Sequence, residues 1–115
     1  MVDIIEYSKT EIHTISTGSS MSMGFIILLA GHKRFATKYS TIMIHEIASF
    51  VYDKLEGIKL EVAEKTRLQE TILDKIVLDK TNITLDQLLQ HRERKSEWYI
   101  TPQEAKKLDI IDNII

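Results

Sequence analysis

The 115-residue sequence predicts a single α/β domain over residues 1–115, and three stretches carry that prediction. Small and hydroxylated residues, Gly18-Ser19-Ser20-Met21-Ser22-Met23-Gly24, give way abruptly to the apolar run Phe25 to Ala30, which suits a tight turn leading into a buried helix. Thr41-Ile42-Met43-Ile44-His45-Glu46 reads as a short buried strand with a histidine at its end. In Tyr52 to Lys80, Leu55, Ile58, Val62, Leu68, Ile72, Ile76 and Val77 recur at helical spacing among Lys, Glu, Asp and Arg. That is the pattern of one long amphipathic helix, with Gly57 as the place where it would loosen.

The other elements follow in chain order. Val2, Ile4 and Ile5 alternate with Asp3 and Glu6 as in the last turns of a helix. Ser8-Lys9-Thr10 is a connection, and Glu11 to Thr17 reads as a strand through Ile12 and Ile15. Gly31-His32 makes a turn after the apolar helix. Lys33 to Thr37 and Thr41 to Ile47 are then strands separated by Lys38-Tyr39-Ser40. Thr84-Leu85-Asp86-Gln87 has the form of a capping box, and Leu85, Leu88 and Leu89 make the apolar face of the helix it opens. Gln90 to Glu97 is charge-mixed and reads as exposed loop or helix end, after which Trp98-Tyr99-Ile100 returns to the core. Thr101-Pro102-Gln103-Glu104 opens a last helix with threonine at N-cap, proline at N1 and glutamate at N3. Ile110-Ile111 and Ile114-Ile115 supply a final apolar strand or tail.

Bulk properties exclude several function classes. The chain is 43% hydrophobic and 28% charged with a formal net charge of −2, a balance that gives no electrostatic reason for a nucleic-acid or membrane-surface partner. With no cysteine there is no disulfide or thiolate metal site, which fits a reducing compartment. The longest apolar run is far short of the ~20 residues that span a bilayer. No secretory signal pattern is visible at the start, so a cytoplasmic location is expected. The four histidines are scattered without an H-x-x-x-H or H-E-x-x-H pair, which disfavours zinc; His13 and His32 read as surface or strand-edge residues.

A serine where a turn meets a helix has two readings. Ser22 or Ser20 can cap the helix, its oxygen accepting from a first-turn amide. Alternatively, a nucleophile there has unpaired amide donors and the positive end of the helix dipole beside it for a developing oxyanion. His45 at a strand end tilts the balance, because nucleophilic catalysis needs an imidazole to accept the hydroxyl proton.

At these residues the sequence resembles the proteolytic subunit of the Clp protease family. Gly18 to Gly24 is similar to its G-x-x-x-S-M-G nucleophile segment, Lys33-Arg34-Phe35-Ala36 to its K-R-F strand, and Met43-Ile44-His45 to its M-I-H segment. Thr101-Pro102-Gln103-Glu104-Ala105, closing with Leu108-Asp109-Ile110-Ile111-Asp112, resembles its S-A-x-E-A…G-L-I-D ending. The resemblance implies a Clp-peptidase and crotonase-like superhelix of β-β-α units whose first units are missing here. Residues 52–80 would be the "handle" helix through which rings of subunits stack into a homo-oligomer. The implied activity is serine endopeptidase cleavage of unfolded polypeptide delivered by an ATP-driven unfoldase, with no metal or organic cofactor. Ser22 would be the nucleophile, His45 the base, and the Met23 N–H an oxyanion donor.

Three features depart from the family pattern. The aspartate expected four residues before the Ser/Thr that opens the S-A-x-E-A helix is Glu97, with Glu93 as a second candidate and Glu46 expected on the opposite side of its strand. The Q-P-S-G-G segment after the histidine is replaced by Glu46-Ile47-Ala48-Ser49-Phe50, so Glu46, Ile47 and Ala48 would pair with substrate through main-chain groups. The family's glycine-rich loop, which supplies a second oxyanion donor, has no counterpart among Gly18, Gly24, Gly31 and Gly57. Residues 1–115 alone are therefore expected to be nearly inactive, with Ile4, Ile5, Ile12 and Ile15 short of partners. Two other classes share the fold: a catalytically impaired structural or regulatory subunit of a mixed ring, and a crotonase-type acyl-CoA enzyme, against which the serine–histidine pair argues.

Overall fold

The computed structural model of the chain describes residues 1–45, 55–94 and 97–115, with the side chains of residues 55–59 and 61 left aside. The expected strand end at 46–47 and helix start at 52–54 lie outside the described residues. The architecture is mixed α/β with two small sheets. The chain runs α1 (Val2–Glu6), β1 (His13–Ser16), β2 (Ser19–Met21), α2 (Met23–Ala30), β3 (Lys33–Ala36) and β4 (Thr41–Ile44). Then come α3 (Leu55–Leu68), a π-helical turn (Gln69–Leu73), α4 (Asp74–Lys80), α5 (Leu85–Glu93), β5 (Trp98–Ile100), α6 (Pro102–Lys107) and β6 (Asn113–Ile114).

The two sheets are built by alternation. β1, β3 and β6 form one all-parallel sheet, and β2, β4 and β5 form the other, with β5 antiparallel to β4. Between β1 and β2 the chain crosses from sheet to sheet at Gly18, whose φ of +68° is a conformation that favours glycine. β2 corrects the reading of residues 18–24 as turn alone. Serine and methionine are weak strand formers, and the strand exists because Ser19, Ser20 and Met21 pair with Thr41, Ile42 and Met43.

α2 is apolar all round and lies inside, with Phe25, Ile26, Leu28, Leu29 and Ala30 buried. Ile42, Ile100, Ile110 and Ile111 close the core around it. At its C-terminus the Thr14 hydroxyl donates to the Leu28 carbonyl at 2.7 Å. Thr14 approaches so closely that a Cβ on Gly31 would lie 2.3 Å from its Oγ1, so glycine is required there by contact rather than by φ. Arg34 serves three chain turns at once: its guanidinium donates to the carbonyls of Leu29, Lys80 and Asp109, at the ends of α2, α4 and α6.

Both capping motifs form. Thr84 and Gln87 make the reciprocal capping box of α5, and Thr101 accepts from the Glu104 amide with Pro102 in the first turn of α6. α6 ends in a Schellman arrangement: the Ile110 N–H donates to Ala105 O and the Asp109 N–H to Lys106 O, with Asp109 at a φ of +60°.

The helical run from Leu55 to Lys80 passes through Gly57 without a break; its irregularity is the π turn at Gln69–Leu73. That turn accompanies a buried polar cluster. Asp74 is 4% exposed, accepts from Gln69 Nε2 at 2.8 Å, and receives both terminal nitrogens of Arg92 from α5. His13 and His32, expected at the surface or a strand edge, are both exposed and each meets a partner. His13 meets the Glu11 carboxylate at 3.0 Å, and His32 Nδ1 accepts from the Ile12 amide at 2.8 Å. No helix among the described residues is long and apolar enough to cross a membrane.

Candidate active site

Ser22 occupies the junction of β2 and α2 at φ 57° and ψ −117°, a conformation that costs a non-glycine residue about 1–3 kcal/mol. A strand running directly into a helix forces this sharp turn, and it presents the serine at the surface. The residue is the N-cap of α2, yet its side chain makes no capping hydrogen bond. Capping therefore does not account for a serine here. Its carbonyl accepts from Phe25 N (3.1 Å) and Ile26 N (3.4 Å), so the Met23 and Gly24 amides lie ahead of the first intrahelical bonds. Ser20, the other serine considered, is occupied: its Oγ lies 2.7 Å from Ser16 Oγ.

His45 follows the last residue of β4 and is half-buried. β2 and β4 are parallel, so their C-terminal ends lie together, and the Ser22 N–H extends their ladder by donating to Met43 O at 3.2 Å. β5 runs the other way, pairing Trp98 with Ile44, Tyr99 with Met43 and Ile100 with Ile42. The pairing ends at Ile44 and Trp98, so His45 and Glu97 are the residues next to that last pair on the two strands. The residues after β2, after β4 and before β5 thus stand at the same end of a three-stranded sheet.

Glu97 is exposed, and its Oε2 accepts a hydrogen bond from Tyr99 Oη at 2.8 Å. That hydrogen bond, and then the carboxylate's charge, push the Tyr99 phenol above its ordinary pKa. Arg92 is held by Asp74, and the Trp98 ring stacks on His91 at a centroid distance of 4.1 Å. Glu93, the second carboxylate considered, is the exposed last residue of α5. Glu46, Ile47 and Ala48 lie outside the described residues. Tyr99 was missed in the sequence; the signal was present, since residues i and i+2 of a strand share a face.

A family model described as Clp protease matches residues 1–115. The chain belongs to the Clp protease family. It is 33% identical over 115 residues to the ATP-dependent Clp protease proteolytic subunit of Deinococcus radiodurans, an alignment covering 98% of this chain and 55% of that protein. The ATP-dependent Clp protease proteolytic subunit 2 of Synechococcus sp. is 32% identical, with 98% of this chain and 57% of the relative covered. The ATP-dependent Clp protease proteolytic subunit of Borreliella afzelii is likewise 32% identical, with 98% and 57% covered. The chain thus spans a little over half the length of the Clp protease relatives it matches.

Proposed function

We propose that this chain acts as a proteolytic subunit, a serine endopeptidase that cleaves unfolded polypeptide in the cytoplasm. The observation that supports the reading is the order β2-β4-β5, in which Ser22 follows β2, His45 follows β4 and Glu97 precedes β5. Ser22 Oγ attacks the scissile carbonyl while His45 takes its proton, forming a tetrahedral intermediate. The Met23 N–H at the start of α2 donates to the oxyanion. His45 then gives the proton to the leaving amine, the C–N bond breaks, and an acyl-enzyme remains. Water repeats the sequence, with His45 as base, and releases the new carboxyl end. Glu97 orients the imidazole and stabilises its protonated form. Residues 46–48 offer main-chain groups for pairing with an extended substrate.

The resemblance extends the proposal to assembly. The β-β-α units form a superhelix, an ATP-driven unfoldase delivers substrate, and the helical run over residues 55–80 packs ring against ring. The exposure of Leu60 (73%), Val62 (55%) and Ile72 (49%) along that run supports a contact there with another subunit.

A fluorophosphonate probe tests the chemistry directly. Residues 1–115 together with a companion portion that supplies the second oxyanion donor are expected to label at Ser22 and to hydrolyse a fluorogenic peptide, and both properties should vanish in Ser22→Ala. Labelling that persists in the purified variant would sink the assignment.

A further inference from the structure

Tyr99 stands two residues beyond Glu97, and its Oη donates to Glu97 Oε2 at 2.8 Å. Tyr99 is registered against Met43, and continuing that register one step beyond the Ile44–Trp98 pair would set Glu97 against His45. A glutamate has one more rotatable bond than an aspartate, and at an exposed strand end its carboxyl would wander among rotamers. The phenol removes that freedom by holding one oxygen. Carboxylate lone pairs lie on both oxygens, so engagement of Oε2 leaves Oε1 able to accept from an imidazole N–H. Tyr99 keeps its proton, because donation to Glu97 and the carboxylate's charge raise its pKa.

We infer that Tyr99 is a positioning residue for the acid of the site: its hydroxyl fixes Glu97 Oε2 so that Oε1 faces the His45 imidazole. The inference rests on the serine-peptidase reading and adds to it a group that touches neither substrate nor the reacting atoms. It also supplies a physical reason why a glutamate can stand where the resembled pattern has aspartate.

The test combines kinetics with tyrosine absorbance titration on the full-length protein. Tyr99→Phe removes the hydroxyl and keeps the ring, and is expected to lower kcat about tenfold with KM unchanged, the mark of an orientation effect. In a Glu97→Asp background, where the shorter side chain falls short of Tyr99 Oη, the same change is expected to cost nothing. The titration reads the pair without activity. The difference between wild type and Tyr99→Phe should show a phenol ionising above the ordinary range, and Glu97→Gln should return it. Ser22-dependent hydrolysis with kcat unaffected by Tyr99→Phe would overturn the inference and leave the peptidase reading intact. Equal losses in both backgrounds would also overturn it, since the hydroxyl would then act without Glu97. A wild type that shows the raised phenol but no Ser22-dependent hydrolysis would sink the peptidase reading and the positioning role with it.

Discussion

The Ser22 N–H donates to the Met43 carbonyl at 3.2 Å, one step past the last paired residues of β2 and β4. This bond ties the sharp turn at Ser22 to the strand that carries His45. The strained φ of 57° is therefore held by sheet pairing on one side and by the helix start on the other.

From that arrangement comes a contrast among the neighbouring serines. Ser22→Ala is expected to reduce peptidase turnover on the order of 10⁶-fold, the loss measured for a triad nucleophile. Ser20→Ala should leave most of it, because Ser20 Oγ is engaged with Ser16 Oγ at 2.7 Å. Ser19→Ala should also leave most of it. Turnover of each purified variant checks this, and comparable losses at Ser20 and Ser22 would count against the assignment.

Removing the charge at Glu97 should lower kcat on the order of 10⁴-fold in Glu97→Gln, since the imidazolium loses its counter-charge. Folding should be little changed because Glu97 is exposed. Glu97→Asp should keep most activity. Equal kcat for wild type and Glu97→Gln, measured beside a thermal melt, would transfer the role to another group.

The Asp74–Arg92 pair makes a stability prediction separate from catalysis. Asp74 is 4% exposed, so Asp74→Leu removes the carboxylate that Arg92 pairs with, and Arg92→Met leaves that buried carboxylate without its counter-charge. Each is expected to cost about 3–5 kcal/mol in denaturant unfolding, whereas the double variant should lose less than either. Additive losses would show that the pair is not coupled.

Two backbone positions give opposite expectations. Gly31→Ala puts a Cβ within 2.3 Å of Thr14 Oγ1 and should destabilise by about 1–3 kcal/mol; Thr14→Ala in the same chain should recover part of this. At Asp109, held at a φ of +60° at the end of α6, Asp109→Gly should be neutral or stabilising by up to about 1 kcal/mol. Thermal melts of the variants decide both.

Features written in neighbouring residues were legible without a structure. The caps at Thr84 and Thr101 depend on a partner three residues away, and burial of α2 follows from an apolar run that no solvent-facing helix would carry. Ser22 and His45 stood out because their residue types and local settings suit nucleophilic chemistry. What depended on distant partners was not legible. β2 is a strand because β4 pairs with it, against the propensity of its own residues. Trp98 pairs with Ile44 through an antiparallel register between residues more than fifty positions apart. Asp74 stands among the charges of the amphipathic run, and it is the π turn and α5 that enclose it with Gln69 and Arg92. Local hydrogen-bond offsets and hydrophobic period are properties of the chain itself. Register, and the burial of a charge, exist only when separate segments pack together, so the tertiary structure alone decided them.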